Sequence, residues 1–194
     1  GNARQLEQVL EGTSPSTLFF VEHPPVLTLG ANFHDENLLF PISEYERRGF
    51  EVHRTDRGGD VTYHGPGQLV VYPVFNIEPL GKDLHRWIRQ LEEVFMQTIA
   101  EFGIAGRRFP PHTGVWVENL KIAALGIKVR RWVSMHGVAL NCDADLGAFQ
   151  LIVPCGIQGY GVTSLSKEVG REVGIDEVKP IRLSVKHIMS KVLR

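Results

Sequence analysis

Cys155 follows Pro154 and precedes Gly156 at the end of the apolar run Leu151-Ile152-Val153. A cysteine in that setting is either a small hydrophobe finishing a buried strand or a nucleophile presented on a bend, with proline fixing the approach and glycine freeing the exit. The second reading needs a thiolate, and therefore a cation or base close by. Backbone N–H groups at such a bend can hold an oxyanion during acyl transfer. Lys121 and the histidines are the candidates for the partner. Lys121 opens the run Ile122-Ala123-Ala124-Leu125-Gly126. An isolated lysine there snorkels to the rim, whereas one aimed into a partly desolvated pocket stabilises an anion and gives up its proton more easily. The small residues after it leave room for something to lie against the backbone.

Two further stretches carry polar groups next to glycine. In 54–73, Gly58-Gly59 and Gly65-Pro66-Gly67 flank a cluster that includes Arg57, Thr62, Tyr63 and His64. This reads as two tight turns around a hairpin or as a ligand-facing loop; polar side chains concentrated between the corners favour the loop. Ser134-Met135-His136-Gly137-Val138-Ala139-Leu140-Asn141 is again polar, then glycine, then small apolar residues on an expected strand, and His136 alone reads as a hydrogen-bonded structural histidine. No Gly-x-Gly-x-x-Gly after a strand and no phosphate-loop motif occurs. The eight histidines and two cysteines form no cluster with metal-ligand spacing, so no metal site is expected.

The elements that must position these residues are legible in part. Strands are expected at 17–21, 26–29, 68–75, 114–118, 121–129 and 137–141, with Glu118-Asn119 as a hairpin turn. After Asp83, apolar residues at Leu84, Trp87, Ile88, Leu91, Val94, Phe95, Ile99 and Phe102 make one helical stripe, with Asp83 as N-cap and Gly103 as stop. A second helix is expected from Pro180 toward the C-terminus, and shorter ones near 3–10, 43–48 and 164–170. Strand clusters interrupted by helices, without βαβ alternation, predict an α/β (α+β) fold with mixed or antiparallel sheets flanked by helices. A chain of 194 residues suits one domain, 1–194. Its net charge of -1 exerts no global pull toward nucleic acid or membrane. No signal-peptide pattern or membrane-length apolar run is present. The expected setting is cytoplasmic, and Gly1-Asn2 is compatible with a trimmed start.

Taken together, Arg57 to Leu69, Lys121 to Gly126, His136 to Asn141, Pro154 to Ile157 and Gly161 to Leu165 closely resemble the lipoyl(octanoyl) transferases, in the family's order over about two-thirds of the chain. The resemblance implies a fold shared with lipoate and biotin protein ligases. It implies transfer of an octanoyl group from octanoyl-acyl carrier protein, through a thioester on Cys155, to a lysine of a lipoyl domain. Acceptors would be lipoyl domains of 2-oxoacid dehydrogenase complexes and the glycine-cleavage H protein. Carried over by motif, Cys155 is the nucleophile and Lys121 lowers its pKa. The acyl group would lie against Arg57, Gly58, Gly59, Asp60, Val61, Thr62, Tyr63 and His64, against Ala124, Leu125 and Gly126, and against Gly137, Val138 and Ala139. No cofactor is implied, and the expected enzyme is a monomer. The donor carrier is acidic, so Lys128, Arg130 and Arg131, or Arg107 and Arg108, could dock it.

Rival readings are an ATP-dependent lipoate-protein ligase of the same fold, a cysteine hydrolase using Cys155 with a histidine, and a non-catalytic acyl-binding module. An acyl-adenylate route needs no cysteine, so Pro154-Cys155-Gly156 weighs against the ligase.

Overall fold

The structure, a computed structural model, describes residues 2–153 and 159–178. In chain order its elements are α1 (Asn2–Leu10), β1 (Thr17–Val21), β2 (Val26–Leu29), α2 (Ile42–Arg47), β3 (Glu51–Arg54), β4 (Val61–His64), β5 (Gln68–Val74) and α3 (Leu84–Ala100). There follow β6 (Arg107–Phe109), β7 (His112–Val117), β8 (Leu120–Arg130), β9 (Val133–Asn141), β10 (Gly161–Val162), α4 (Leu165–Val169) and α5 (Ile175–Val178). Of these, β3, β4, β6, β10 and α5 carry no pattern that marks them in the sequence. The helix expected from Pro180 lies outside the described residues, as does Cys155.

The larger sheet runs β1-β5-β9-β8-β7-β6, antiparallel throughout that order, with β10 added in parallel beside β8. The smaller sheet, β3-β2-β4, has one parallel and one antiparallel pair. The Asp83 side chain accepts from the Arg86 amide and caps α3, whose stripe buries Trp87, Leu91, Val94, Phe95 and Ile99. That stripe packs against Leu69 and Val71 of β5, Val138 and Leu140 of β9 and Ala123 of β8. Each such side chain contributes about 1.5–3 kcal/mol through burial. Successive strand residues point to opposite faces, so Gln68, Val70 and Tyr72 are left facing away from this core, toward the smaller sheet.

Strand β4 shows the same division over four residues. Val61 and Tyr63 enter a separate core with Leu27, Leu29, Tyr45, Ala148 and Phe149, while Thr62 and His64 face the larger sheet. The stretch 54–67, expected as a glycine-cornered loop, is thus a loop, a buried strand and a turn. The Glu118-Asn119 turn joins β7 to β8, with Glu118 at φ 50°. The β8–β9 hairpin closes through Arg131 (φ 47°) and Trp132 (φ 63°), a turn built without glycine or asparagine.

Candidate active site

A cavity with an empty volume of about 580 Å³ lies between the two sheets. Its wall on the larger sheet is built from Val70 and Tyr72, Ala124, Leu125 and Gly126, and Gly137, Val138 and Ala139; the facing wall is Thr28, Thr62 and His64. Arg57, Gly58 and Gly59 close one side. On β8 and β9 the inward residues are small; Arg57 and Gly58 pack over Gly126, and the space left along Ala124 and Ala139 can take a slender apolar group.

The 57–60 loop is held rigidly. Its backbone accepts hydrogen bonds from Gly30, Ala31 and Asn32, and Gly58 donates to Ile127 O of β8 at 3.2 Å. A Cβ on Gly58 would meet that same carbonyl at 2.8 Å, and Gly59 has φ 93°, so both positions require glycine. Arg57 is buried and spans the gap to β2, donating to Thr28 O (2.6 Å), Thr28 Oγ1 (3.0 Å) and Asp60 O (2.7 Å). Asp60 faces away from the cavity and accepts from the Val61 amide (2.7 Å), Asn37 Nδ2 (2.7 Å) and the His34 amide (3.3 Å). The His34 ring also lies 3.0 Å from Asp60, and that hydrogen bond raises the His34 pKa.

Lys121 reaches the cavity through an irregularity in β8. Val115 pairs with Ala123 but Trp116 pairs with Lys121, so Ile122 is an extra residue on β8 relative to β7. Ile122 and Ala123 are both fully buried in the core. A bulge of this kind reverses the alternation and brings Lys121 to the side of Ala124, where both line a small adjoining cavity with Thr62, Gln68, Ala139 and Asn141. The Lys121 ammonium sits 4.9 Å from the centre of the Trp116 ring, a cation–π contact that orients it. Beside it, Gly114 (φ 125°) donates its amide to the buried Glu92 of α3 at 3.1 Å, and Glu92 also binds Arg89 and Arg108.

Behind the cavity runs a buried polar chain. Gln68 Oε1 can only accept, so the His64 ring, 2.6 Å away, carries its proton on Nδ1. Gln68 Nε2 donates to Asn141 Oδ1 (2.9 Å), and Asn141 Nδ2 to Thr163 O (3.0 Å). The Thr163 amide donates to Lys121 O at 3.0 Å. Burial, aided by Arg57 and His23 and opposed by Gln68, pushes the His64 pKa down to about 4. His64 is therefore neutral near pH 7, with Nε2 free to accept. His23 lies 2.7 Å from the Tyr72 hydroxyl, and burial lowers its pKa.

Of the residues singled out in the sequence, Arg57, Gly58, Gly59, Thr62, His64, Ala124, Leu125, Gly126, Gly137, Val138 and Ala139 come together on one cavity, and Lys121 lines the small neighbouring cavity that shares Thr62, Ala124 and Ala139 with it. Val61 and Tyr63 face the other core. Cys155 lies outside the described residues. The chain leaves them at Val153, whose amide donates to Asn37 O, and resumes toward β10, which pairs with Leu120 and Lys121. Thr28, Thr55, Val70 and Tyr72 on the wall were not foreseen from the sequence, and His136, expected as a hydrogen-bonded structural histidine, bonds Asp56 and also lines the cavity. Val70 and Tyr72 could have been found by following alternation from Gln68. Most of the cations considered for docking are already engaged: Lys128 by Asp56, Arg130 by Glu7, Arg108 by Glu92 and Glu93.

Residues 3–184 match the family of the lipoyl protein ligase A/B catalytic domain. The chain belongs to this family. It is 50% identical over 171 residues to an octanoyltransferase of Geobacter metallireducens, an alignment covering 88% of this chain and 77% of that one. It is 48% identical over 176 residues to an octanoyltransferase of Geotalea uraniireducens, covering 91% and 79%. Among solved structures, a lipoate-protein ligase A bound with ATP superposes with a TM-score of 0.75 at 19% identity, covering 93% of this chain and 73% of that one. The mixed α/β architecture with antiparallel sheets is accordingly that of the lipoate-protein ligases.

Proposed function

We propose that this chain, acting as one catalytic domain, is an octanoyltransferase of protein lipoylation that moves an octanoyl group from acyl carrier protein to a lysine of a lipoyl domain through a thioester on Cys155. The observation that carries this reading is the cavity lined by small residues, with Lys121 on the small cavity beside it. The shape of the larger cavity suits an unbranched acyl chain, and Lys121 supplies an amine where the carbonyl would lie. The close identity to octanoyltransferases supports the same chemistry. The anchoring of Val153 to Asn37 and of β10 to Leu120–Lys121 supports pairing Cys155 with Lys121.

The steps follow. The Cys155 thiol gives its proton to the Lys121 amine, and the thiolate attacks the donor thioester carbonyl. The bond to the carrier's sulfur breaks as that sulfur takes the proton back from Lys121, leaving octanoyl-Cys155 and a neutral Lys121. Lys121 then accepts a proton from the acceptor ammonium. The freed amine attacks, Cys155 leaves as thiolate and takes the second nitrogen proton, and Lys121 sheds the first to solvent, which restores the starting thiol and amine. One thioester replaces another in the first half, and amide formation runs downhill in the second, so no ATP is consumed. A cytoplasmic setting, where thiols stay reduced, suits this chemistry.

Incubation with octanoyl-acyl carrier protein, without ATP, should give an octanoyl adduct by intact mass that Cys155→Ala abolishes. Addition of a lipoyl domain should discharge it to an amide. Discharge to free octanoate alone would favour a hydrolase, and transfer only with free acid and ATP would favour a ligase.

A further inference from the structure

We propose, resting on the acyl-transfer reading above, that His136, positioned by Asp56, closes the far end of the cavity and sets the length of acyl chain that is accepted. The β8–β9 pairs run from Ala123↔Leu140, near Lys121, through Ala124↔Ala139 and Gly126↔Gly137 to Ile127↔His136. These four steps span about 13 Å of strand. Along them the inward residues of both strands are glycine or alanine, and Arg57 and Gly58 lie over Gly126, where a Cβ would come within 3.1 Å of Arg57 Cδ and 3.0 Å of Gly58 O. Among the residues that β8 and β9 themselves place on this wall, His136 is the first large polar one.

Its orientation is imposed by the backbone. Regular alternation would send His136 to the side of Val138 and Leu140, in the α3 core. Instead it has φ 61°, a left-handed conformation uncommon outside glycine, and its ring lines the cavity beside Thr55. Its Nε2 lies 2.7 Å from Asp56 Oδ1, and Lys128 Nζ lies 2.6 Å from Asp56 Oδ2. This clasp ties the end of the cavity to β8. Beyond it Met135, Val74 and Val133 pack under Leu6 of α1, so the strand surface offers no further open groove. A terminal methyl reaching this layer meets the imidazole edge, and a longer chain must break the Asp56 contact and desolvate its ions, which costs more than a methylene gains.

The test compares kcat/KM for octanoyl- and dodecanoyl-acyl carrier protein, with a lipoyl domain as acceptor, in wild type, His136→Gly and Asp56→Asn. Glycine accepts the left-handed backbone and removes the closure. The dodecanoyl-to-octanoyl ratio should rise about tenfold or more in His136→Gly, since each added methylene is worth about fourfold in apolar surroundings. It should rise less in Asp56→Asn, where the ring is present but untethered. Both substrates are measured on one preparation, so a loss of folded protein cancels in the ratio, and Asp56→Asn decides the matter if the glycine variant does not fold. An unchanged ratio alongside measurable octanoyl transfer overturns the assignment of His136. Absence of octanoyl transfer by wild type instead overturns the reading on which it rests.

Discussion

Strands β5, β8 and β9 present two unlike surfaces. Toward α3 they carry Leu69, Val71, Ala123, Val138 and Leu140, all part of the core, with Val138 also bordering the cavity. On the reverse, alternating with these, stand Gln68, Val70, Tyr72, Ala124, Gly126, Gly137, Ala139 and Asn141, fronting a cavity. The backbone hydrogen bonding is common to both, so what differs is side-chain volume at alternate positions. One face contributes the transfer free energy of a filled core; the other leaves unfilled space whose shape the first face keeps rigid. Stability and activity should therefore separate under substitutions placed one residue apart.

The largest effect is expected at the reacting groups. Lys121→Ala should lower octanoyl transfer by about 10²–10⁴-fold, the usual worth of a positioned acid–base group, with a melting temperature close to wild type; stopped-flow acylation and a thermal melt check both. Ala139→Leu would fill the open face and should cost about 100-fold in transfer by displacing the acyl chain from the attack geometry. A normal rate with octanoyl donor would mean that the chain lies elsewhere. Its neighbour gives the opposite split. Leu140→Ala should destabilise the fold by about 2–5 kcal/mol in urea while each folded molecule keeps most of its activity.

A smaller effect concerns pH. His64 has a folded pKa of about 4 against 6.5 for an exposed histidine. Between these values the unfolded chain binds a proton that the folded one does not. Stability from this group is therefore complete above about 6.5 and declines as pH falls toward 4. The loss amounts to about 3 kcal/mol at most. His64→Gln should flatten that part of the stability curve; a slope equal to wild type would show that other groups produce it.

Legibility in the sequence followed the range of the interactions. Helix α3 was readable from Asp83 to its end because its apolar stripe repeats over many turns and its cap is local. The Glu118-Asn119 turn was readable for the same reason, whereas Arg131-Trp132 was not, since two bulky residues at positive φ carry no turn signature. Strand β4 was hidden because Val61, Thr62, Tyr63 and His64 are buried on both faces, between a glycine pair and a proline turn. Among the site residues, the small residues of β8 and β9 stood out by type. Val70 and Tyr72 did not, because an ordinary buried strand has the same composition.

By itself the sequence determined which groups are available for chemistry: a lysine before small residues, a cysteine between proline and glycine, and a glycine-cornered polar stretch, in an order that marks the family. It also determined the main helix and most strands, since periodicity is a property of neighbouring residues. Tertiary structure alone decided which way they face. The extra residue at Ile122 turns Lys121 onto the cavity side, the left-handed backbone turns His136 onto the same side, and the smaller sheet splits Thr62 and His64 from Val61 and Tyr63. Each depends on pairing between strands distant in sequence, where one added residue or one inverted φ reverses a side chain and no local pattern records it.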